Sequence, residues 1–324
     1  MMREAQRRHI ASLDILRVGS MLYIVGFWHL MNYAVAGGFY RNEVTTRVTV
    51  VLLATFTMLS GYLLGLRPVE PTRASIASFY RRRMLRIYPP LVLAVLCFVL
   101  MGLTTWPTAI RTMLLVGEIV GPPPLTLWYV AMLALFYLIT PLLSVGSSAA
   151  RRALVAVAVM LLLAALSGWG GLATDPRIAL YFPSFAIGLA VAREPLPPRW
   201  MLFASAALGL ASIVLTLGQP VPAIERTLLS APMATLLALA LLLLALSLAN
   251  RVPPSPVLAA LGTASFFMYL LHRPIYQALA QHIPFTGPVA RTAILVLVAL
   301  PIVAATSWTA QKAYDALLAR LTLA

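Results

Sequence analysis

Long apolar segments, each bounded by short polar stretches, constrain this chain most strongly. A bilayer-spanning helix needs about 20 mostly apolar residues, and only helices or closed barrels satisfy their backbone polar groups inside lipid. Ten segments of this kind follow one another from the N-terminus to the C-terminus. They are Leu13–Ala34, Val48–Leu66, Pro90–Leu103, Leu127–Val145, Ala153–Leu172, Ile178–Val191, Trp200–Leu217, Leu228–Ala249, Val257–Ala278 and Pro288–Thr309. The pattern predicts an all-α polytopic integral membrane protein: one bundle of about ten transmembrane helices, forming a single domain over residues 1–324.

Composition supports this class and excludes others. The chain is 61% hydrophobic and 10% charged, whereas soluble domains carry about 25% charged residues. The net charge of +15 does not indicate nucleic-acid binding, because the basic residues lie between apolar segments rather than on one soluble face. A single cysteine, Cys97, excludes a disulfide within the chain and a cysteine-based metal site. With few carboxylates and no paired-histidine spacing, we expect no metal site and no tightly bound cofactor.

The distribution of basic residues predicts the orientation. With a cytoplasmic N-terminus, sixteen Lys and Arg residues fall in cytoplasmic segments and seven in outer ones, which is the usual bias. An even number of spans then places the C-terminus in the cytoplasm as well. The segment Ile110–Val120 is predicted to form an interfacial helix before the fourth span.

The first span carries three ionisable residues. Asp14 and Arg17 are three residues apart, so they share a helix face and pair at the cytoplasmic end. His29 lies twelve residues after Arg17, about 18 Å along a helix axis. Ionisable groups at membrane depth are costly and usually functional, and a neutral imidazole is a suitable general base. An interhelical hydrogen bond from His29, worth about 1 kcal/mol, is the structural alternative.

A cluster of arginines precedes the third span in the segment Tyr80–Pro90, with sequence YRRRMLRIYPP. On a helix, Arg82 and Arg83 share a face with Arg86, and a guanidinium fork suits phosphate. We expect the pair Pro89 and Pro90 to stop the regular helix there. The alternative role of the cluster is to set membrane topology.

Two further segments contain aromatic and polar residues. Trp128 and Tyr129 open the fourth span and also fit an interfacial aromatic belt. Tyr137 lies deeper in that span and needs a hydrogen-bond partner. Tyr269 and His272 lie in the outer half of the ninth span, and His272 also fits a span end at the membrane interface.

In this order, the segments resemble the membrane-bound acyltransferase-3 family over about 310 residues. The first span matches the family motif Leu-Asp-x-Leu-Arg followed by His. The second span matches the family motif Ser-Gly-aromatic. The family's Phe-Tyr-x-Arg-Arg-x-x-Arg-Ile-x-Pro is the most specific motif, and two more motifs follow in the fourth and ninth spans. The matching positions are Leu13, Asp14, Leu16, Arg17 and His29; Ser60, Gly61 and Tyr62; Phe79, Tyr80, Arg82, Arg83, Arg86, Ile87 and Pro89; Leu127, Trp128, Tyr137, Leu138 and Pro141; and Ser265, Phe266, Tyr269, Leu270, His272 and Pro274.

The resemblance implies a function and a set of site residues. It implies transfer of an acyl group, most commonly acetyl, from cytoplasmic acyl-CoA to a hydroxyl of an extracytoplasmic or lipid-linked glycan, in a multi-pass protein of the bacterial cytoplasmic membrane. His29 would act as general base or take the acyl group itself, with Asp14 and Arg17 at the entrance. Donor phosphates would meet the arginine cluster, and His272 would lie at the outer acceptor mouth. The implied site comprises catalytic His29, Asp14 and Arg17, donor-binding Arg82, Arg83 and Arg86, and substrate-binding Trp128, Tyr129, Tyr137, Tyr269 and His272.

The sequence departs from the family pattern at two places. Eleven residues separate Arg17 from His29 where the family has ten, so a regular helix would set the two side chains about 120° apart. We therefore predict non-α geometry between Gly19 and Trp28, around Gly26, leaving a free carbonyl for an acceptor hydroxyl or water. The glutamate that some relatives carry near Trp128 in the fourth span is absent, which predicts that no carboxylate base lies there.

The competing interpretation is a carrier. An arginine cluster that attracts an anion and histidines that relay protons also fit an exporter of an anionic or acylated sugar. No internal repeat is evident in the sequence, which disfavours the inverted-repeat transporters. The acceptor, the acyl length and the oligomeric state stay open at this stage.

Overall fold

The computed structural model describes residues 10–34, 39–67, 69–121, 125–144, 149–168, 174–195, 197–282 and 287–323, and these residues form a helical bundle. Helix α1 passes from Ala11–Tyr23 through a π-helical turn at Ile24–His29 to Met31–Ala34. Helix α11 likewise runs from Pro288–Ile294 through a π-helical turn at Leu295–Ala299 to Leu300–Leu323. The other helices of at least eight residues are α2 (Glu43–Gly65), α3 (Arg73–Leu100), α4 (Trp106–Met113), α5 (Trp128–Ser144), α6 (Ala149–Gly168), α7 (Arg177–Val191), α8 (Arg199–Ala211), α9 (Ala231–Ser247) and α10 (Pro256–His282).

The predicted fold class, an all-α polytopic membrane protein, is confirmed. Among the described residues, seven helices are long and apolar enough to cross a membrane, and α5 and α7 are shorter apolar helices. The count of ten spans stays a prediction. Parts of the predicted fourth and fifth spans, Val145 and residues 169–172, lie outside the described residues. So do Arg3, Arg7 and Arg8, which the orientation prediction places in the cytoplasm.

Helix α3 corrects the prediction that Pro89 and Pro90 stop the helix. The helix is continuous from Arg73 to Leu100, so the helix of the third span begins well before Pro90. Because Pro89 has no backbone N–H, it leaves the carbonyl of Leu85 without its helical donor. The hydroxyl of Tyr314, on α11, donates to that carbonyl. A donor from a neighbouring helix thus allows prolines inside a membrane helix.

The interfacial helix predicted at Ile110–Val120 is also corrected. Helix α4 begins at Trp106 and ends at Met113, because Leu115 takes a left-handed conformation with φ 59°. The N–H of Val116 then donates to Arg111 O and that of Leu115 to Thr112 O, which is a Schellman end. Residues 114–121 form turns instead of helix.

Close packing of α2 on α7 forms the centre of the bundle. Helix α9 packs against both of them, and α10 packs against α1, α3 and α11. A Cβ placed on Gly61 would lie 2.1 Å from the carbonyl oxygen of Phe185, and one on Gly188 would lie 2.1 Å from that of Met58. Small residues permit such backbone contact between membrane helices. This contact explains why the second span has glycine before Tyr62.

We expect Gly61→Ala to destabilise the protein by about 1–3 kcal/mol, because the added methyl group overpacks the contact between α2 and α7. Gly19→Ala is the matched control, since nothing lies within 4 Å of a Cβ at that position. Thermal unfolding of both purified variants in detergent measures the difference. Equal stability of the two variants would contradict this account of the contact.

Candidate active site

A large cavity opens among the helix ends that carry arginines. Its volume is about 1460 Å³, above the roughly 300–1,000 Å³ of sites for drug-sized ligands. We call the part of the bundle around its rim the arginine end. It consists of the C-terminal ends of α2, α5 and α7 and the N-terminal parts of α1, α3 and α6. The charged residues lining the cavity are Asp14, Arg17, Arg67, Arg83, Arg86, Arg152 and Arg193.

Helix α3 brings two of the three predicted donor-binding arginines to this cavity. Arg83 and Arg86, three residues apart on one helix face, both line it. The Cζ atom of Arg83 lies 5.8 Å from the ring centres of Phe79 and Tyr137. Arg82 is directed elsewhere and donates to the hydroxyl of Ser78. The structure therefore separates Arg82 from the two arginines that line the cavity.

Asp14 and Arg17 pair as their spacing predicts. The Nη1 atom of Arg17 lies 3.8 Å from Oδ1 of Asp14 and donates to the carbonyl of Gly262 on α10 at 3.5 Å. Both side chains line the cavity near the start of α1. The pair thus lies where an entering ligand would pass.

Two tyrosines form the inner wall of the cavity. Tyr129 and Tyr269 both line it, and their ring centres are 5.5 Å apart. The hydroxyl of Tyr129 donates to the carbonyl of Leu53 at 3.1 Å. The hydroxyl of Tyr269 donates to the carbonyl of Thr126 at 2.8 Å. Each ring is therefore held at both ends, by its helix and by its hydroxyl.

Behind this wall, the two histidines lie against each other. The rings of His29 and His272 stack with centres 4.8 Å and planes 10° apart. The ring of Tyr269 lies 6.2 Å from His29 and 5.8 Å from His272. His29 is 8% exposed and His272 is fully buried. Neither histidine is among the described residues that line the cavity, whereas Tyr269 both lines it and contacts the two histidine rings.

The π-helical turn at Ile24–His29 explains how α1 points both Arg17 and His29 into the bundle. It confirms the predicted non-α geometry around Gly26. One extra residue in a turn absorbs about 100° of the 120° offset produced by the longer spacing. The carbonyl of Val25, inside the turn, accepts a hydrogen bond from Tyr276 on α10 at 3.2 Å. The expectation that a carbonyl of the turn serves an acceptor hydroxyl or water stays a prediction.

His272 does not end its helix, contrary to one interpretation of the sequence. Helix α10 continues to His282, and the side chain of His272 is buried rather than exposed at an outer mouth. Its Nδ1 atom lies 3.1 Å from the carbonyl oxygen of Met268, one turn back. The side chain thus lies in the interior, against His29, and its role in acceptor binding stays a prediction.

Sequence reasoning missed the polar residues around Trp128. The Cζ atom of Arg177 lies 3.6 Å from the Trp128 ring centre, and Arg177 pairs with Asp175 through its side chain and its backbone N–H. Glu118 is fully buried and its carbonyl accepts from the N–H of Asp175 at 2.9 Å. The carboxyl groups of Asp175 and Glu118 therefore come from other segments towards Trp128, where α5 itself has no carboxyl group. Residues 118, 128 and 175 are far apart in the sequence, so only the tertiary structure reveals this arrangement.

A comparison with known sequences assigns the chain to a family. The sequence model of the acyltransferase-3 family, described as an acyltransferase domain, matches residues 10–308. The chain belongs to this family. It is therefore a multi-pass membrane acyltransferase. No curated protein and no solved structure matches the chain in these comparisons.

The acyltransferase has a buried carboxyl group whose titration is measurable. Burial, and then the negative charge of Asp175, raise the pKa of Glu118 to about 8, against the opposing effect of Arg177 and Arg226. Because folding raises this pKa, the protonated carboxyl group of Glu118 stabilises the folded state at low pH. This contribution is lost as pH increases from the ordinary value of 4.5 through about 8.

We therefore expect Glu118→Gln to alter the pH dependence of stability. The two proteins should unfold at similar temperatures near pH 5, and the variant should be the more stable one at pH 9, because glutamine does not titrate. Thermal unfolding in detergent across this range measures the difference. Parallel curves for the two proteins would show that Glu118 does not titrate with a raised pKa.

Proposed function

We propose that this acyltransferase moves an acyl group, acetyl in particular, from acyl-CoA in the cytoplasm to a hydroxyl of an extracytoplasmic or lipid-linked glycan. One observation carries the proposal: the arginine-lined cavity ends at a tyrosine wall, and a stacked histidine pair lies directly behind it. A site for an anionic donor and a site for proton transfer are thus adjacent inside one bundle. The resemblance noted in the sequence supports the glycan as acceptor.

The charges of the cavity support acyl-CoA as the donor. Coenzyme A is a polyanion with phosphate groups at one end and its thioester at the other, at the end of a long pantetheine arm. Arg67, Arg83 and Arg86 line the cavity at the arginine end, and guanidinium groups bind phosphate with two parallel hydrogen bonds. A donor bound in this way would direct its thioester towards Tyr129 and Tyr269.

The distribution of basic residues supports a cytoplasmic position for the arginine end. The segments that form it hold most of the Lys and Arg of the chain, and such segments face the cytoplasm. Acyl-CoA is a cytoplasmic metabolite, so the donor would enter from that side. The acceptor would approach from the opposite end of the bundle.

His29 is the proposed general base. One of its ring nitrogens takes the proton of the acceptor hydroxyl as the hydroxyl oxygen forms a bond to the thioester carbonyl carbon. The carbon–sulfur bond then breaks, and coenzyme A leaves as the thiolate. Holding both substrates in a water-poor bundle supplies the proximity on which direct transfer depends. The pair of Asp14 and Arg17 would act at the donor entrance.

The discriminating experiment measures thioester consumption by the purified protein. The protein is reconstituted in liposomes with acetyl-CoA and envelope glycan, and both free thiol and O-acetyl ester are measured. An acyltransferase produces the two in equal amounts. A carrier would leave the thioester intact and move material across the bilayer, which would reject the proposal.

We expect His29→Ala to reduce acyl transfer by about 10²–10⁴-fold, since this is the usual contribution of a general base. His282→Ala is the control, because His282 is exposed at the end of α10. Transfer rates are measured at equal amounts of inserted protein. A His29→Ala variant that keeps more than half of the wild-type rate would remove His29 from the mechanism.

We also expect Arg83→Ala and Arg86→Ala each to weaken acetyl-CoA binding by about 10-fold or more, because a charge-assisted hydrogen bond contributes about 1.5–3 kcal/mol. Lysine at either position should restore binding only in part, since it lacks the guanidinium fork. Calorimetry in detergent gives the affinities, and they should fall with rising salt concentration.

Arg82→Ala is the matched control for these variants. Arg82 belongs to the same cluster but is bonded to Ser78 and does not line the cavity, so its replacement should leave donor affinity within about twofold. If the double variant of Arg83 and Arg86 bound acetyl-CoA like the wild type, membrane topology would remain the only role of the cluster.

A further inference from the structure

Arg152 and Arg193 form a second group of arginines in the large cavity. Arg152 lies in the first turn of α6, and Arg193 lies two residues after the end of α7. Both line the same cavity as Arg83 and Arg86 of α3. The described residues that line it include six arginines and one carboxylate, that of Asp14. The positive charge of the cavity is therefore enough for more than one anionic group.

An ion pair brings Arg152 to the segment that carries Arg193. The Nη2 atom of Arg152 lies 2.9 Å from Oε1 of Glu194, the residue that directly follows Arg193. This bond joins the start of α6 to the end of α7. The side chain of Glu194 is 50% exposed, so water screens its charge, and it is not among the described residues that line the cavity. The group thus presents positive charge to the cavity.

Hydrogen bonds fix the guanidinium of Arg193 on the cavity wall. Its Nη2 atom donates to the hydroxyl of Ser144 at 2.9 Å, and its Nη1 atom donates to the carbonyl of Ser144 at 3.4 Å. Ser144 ends α5 and also lines the cavity. These bonds use two of the five N–H groups of a guanidinium, so Arg193 is held in place and still has N–H groups for an anion. Capping the end of α5 is the purely structural alternative.

Coenzyme A carries phosphate at two separate positions. A pyrophosphate joins the pantetheine arm to the nucleotide, and a phosphomonoester is attached at the 3′ position of the ribose. A phosphomonoester has a charge of about −1.5 to −2 at pH 7 and three acceptor oxygens, so it can bind two guanidinium groups at once. The cavity volume of about 1460 Å³ leaves room for the nucleotide as well as the arm. Two groups of arginines in one cavity therefore match a donor with two phosphate positions.

We propose that Arg152 and Arg193 bind the 3′-phosphate of the coenzyme A nucleotide, while Arg83 and Arg86 bind its pyrophosphate. The inference rests on the proposed function and deepens it, because it makes the acyltransferase selective for one class of acyl donor. Acyl groups are also carried as thioesters of phosphopantetheine on carrier proteins, and these lack the ribose and its phosphate. Such donors leave Arg152 and Arg193 without an anion, so the site favours free acyl-CoA.

The test compares acetyl-CoA with 3′-dephospho-acetyl-CoA, which lacks only the phosphate in question. Calorimetry in detergent gives both affinities. We expect the wild-type protein to bind acetyl-CoA at least about 10-fold more tightly, because charge-assisted hydrogen bonds are lost with the phosphate. In the double variant Arg152→Gln and Arg193→Gln, acetyl-CoA affinity should fall at least about 10-fold, whereas affinity for the dephospho ligand should stay within about twofold. Each single variant should show the same selective loss at a smaller size.

The glutamine variants separate phosphate binding from packing, because an amide keeps a donor for Ser144 and for Glu194 while it removes the charge. Arg83→Ala is one control, and it should weaken both ligands by the same factor, since both contain the pyrophosphate. Arg151→Gln is the other. Arg151 precedes Arg152 but is exposed and is not among the described residues that line the cavity, so this variant should leave both affinities within about twofold.

The inference is overturned if the wild-type protein binds the two ligands equally well. It is also overturned if the double variant binds acetyl-CoA like the wild type, or if it loses affinity for both ligands by the same factor, as a purely structural role of the two arginines would require. A wild-type protein that binds neither ligand would instead reject acyl-CoA as the donor, and with it the proposed function.

Discussion

Water is absent from the hydrocarbon core of a bilayer, so every backbone group that leaves a regular helix must find a partner within the protein. This constraint connects the two irregular helices that position the site. In α3, Pro89 frees the carbonyl of Leu85 and Tyr314 binds it. In α1, the carbonyl of Val25 lies in the π-helical turn and Tyr276 donates to it. Both donors are tyrosines from the last two helices, and both arise far along the chain from the groups they satisfy.

The same two irregularities position the residues of the candidate site. Without an uninterrupted α3, Arg83 and Arg86 would belong to a loop before the span rather than to one face of a helix beside the cavity. Without the π-helical turn, His29 would point about 120° away from the direction of Arg17. The C-terminal helices therefore support the site from behind, through Tyr276 and Tyr314.

Residue spacing made some of these features predictable. The apolar segments predicted the helices. The extra residue between Arg17 and His29 predicted the non-α turn, because each residue of an α-helix rotates the side-chain direction by a fixed angle. Local patterns could not predict the continuity through Pro89, since that depends on a hydroxyl more than 200 residues away. They also could not separate Arg82 from Arg83, or bring Glu118 beside Asp175. Those outcomes depend on tertiary contacts that leave no periodic signal in the sequence.

The tyrosine wall has a consequence for the membrane itself. A bundle open from one end to the other, with arginines along its rim, would conduct ions, and each charge crossing it would dissipate about 2.3 kcal/mol per 100 mV of membrane potential. Tyr129 and Tyr269 are held in place by hydrogen bonds from their hydroxyls to the backbone carbonyls of Leu53 and Thr126. A protein that crosses a bilayer must keep the two sides electrically separate. In the described part of the chain, these two rings form the wall between the cavity and the histidine pair.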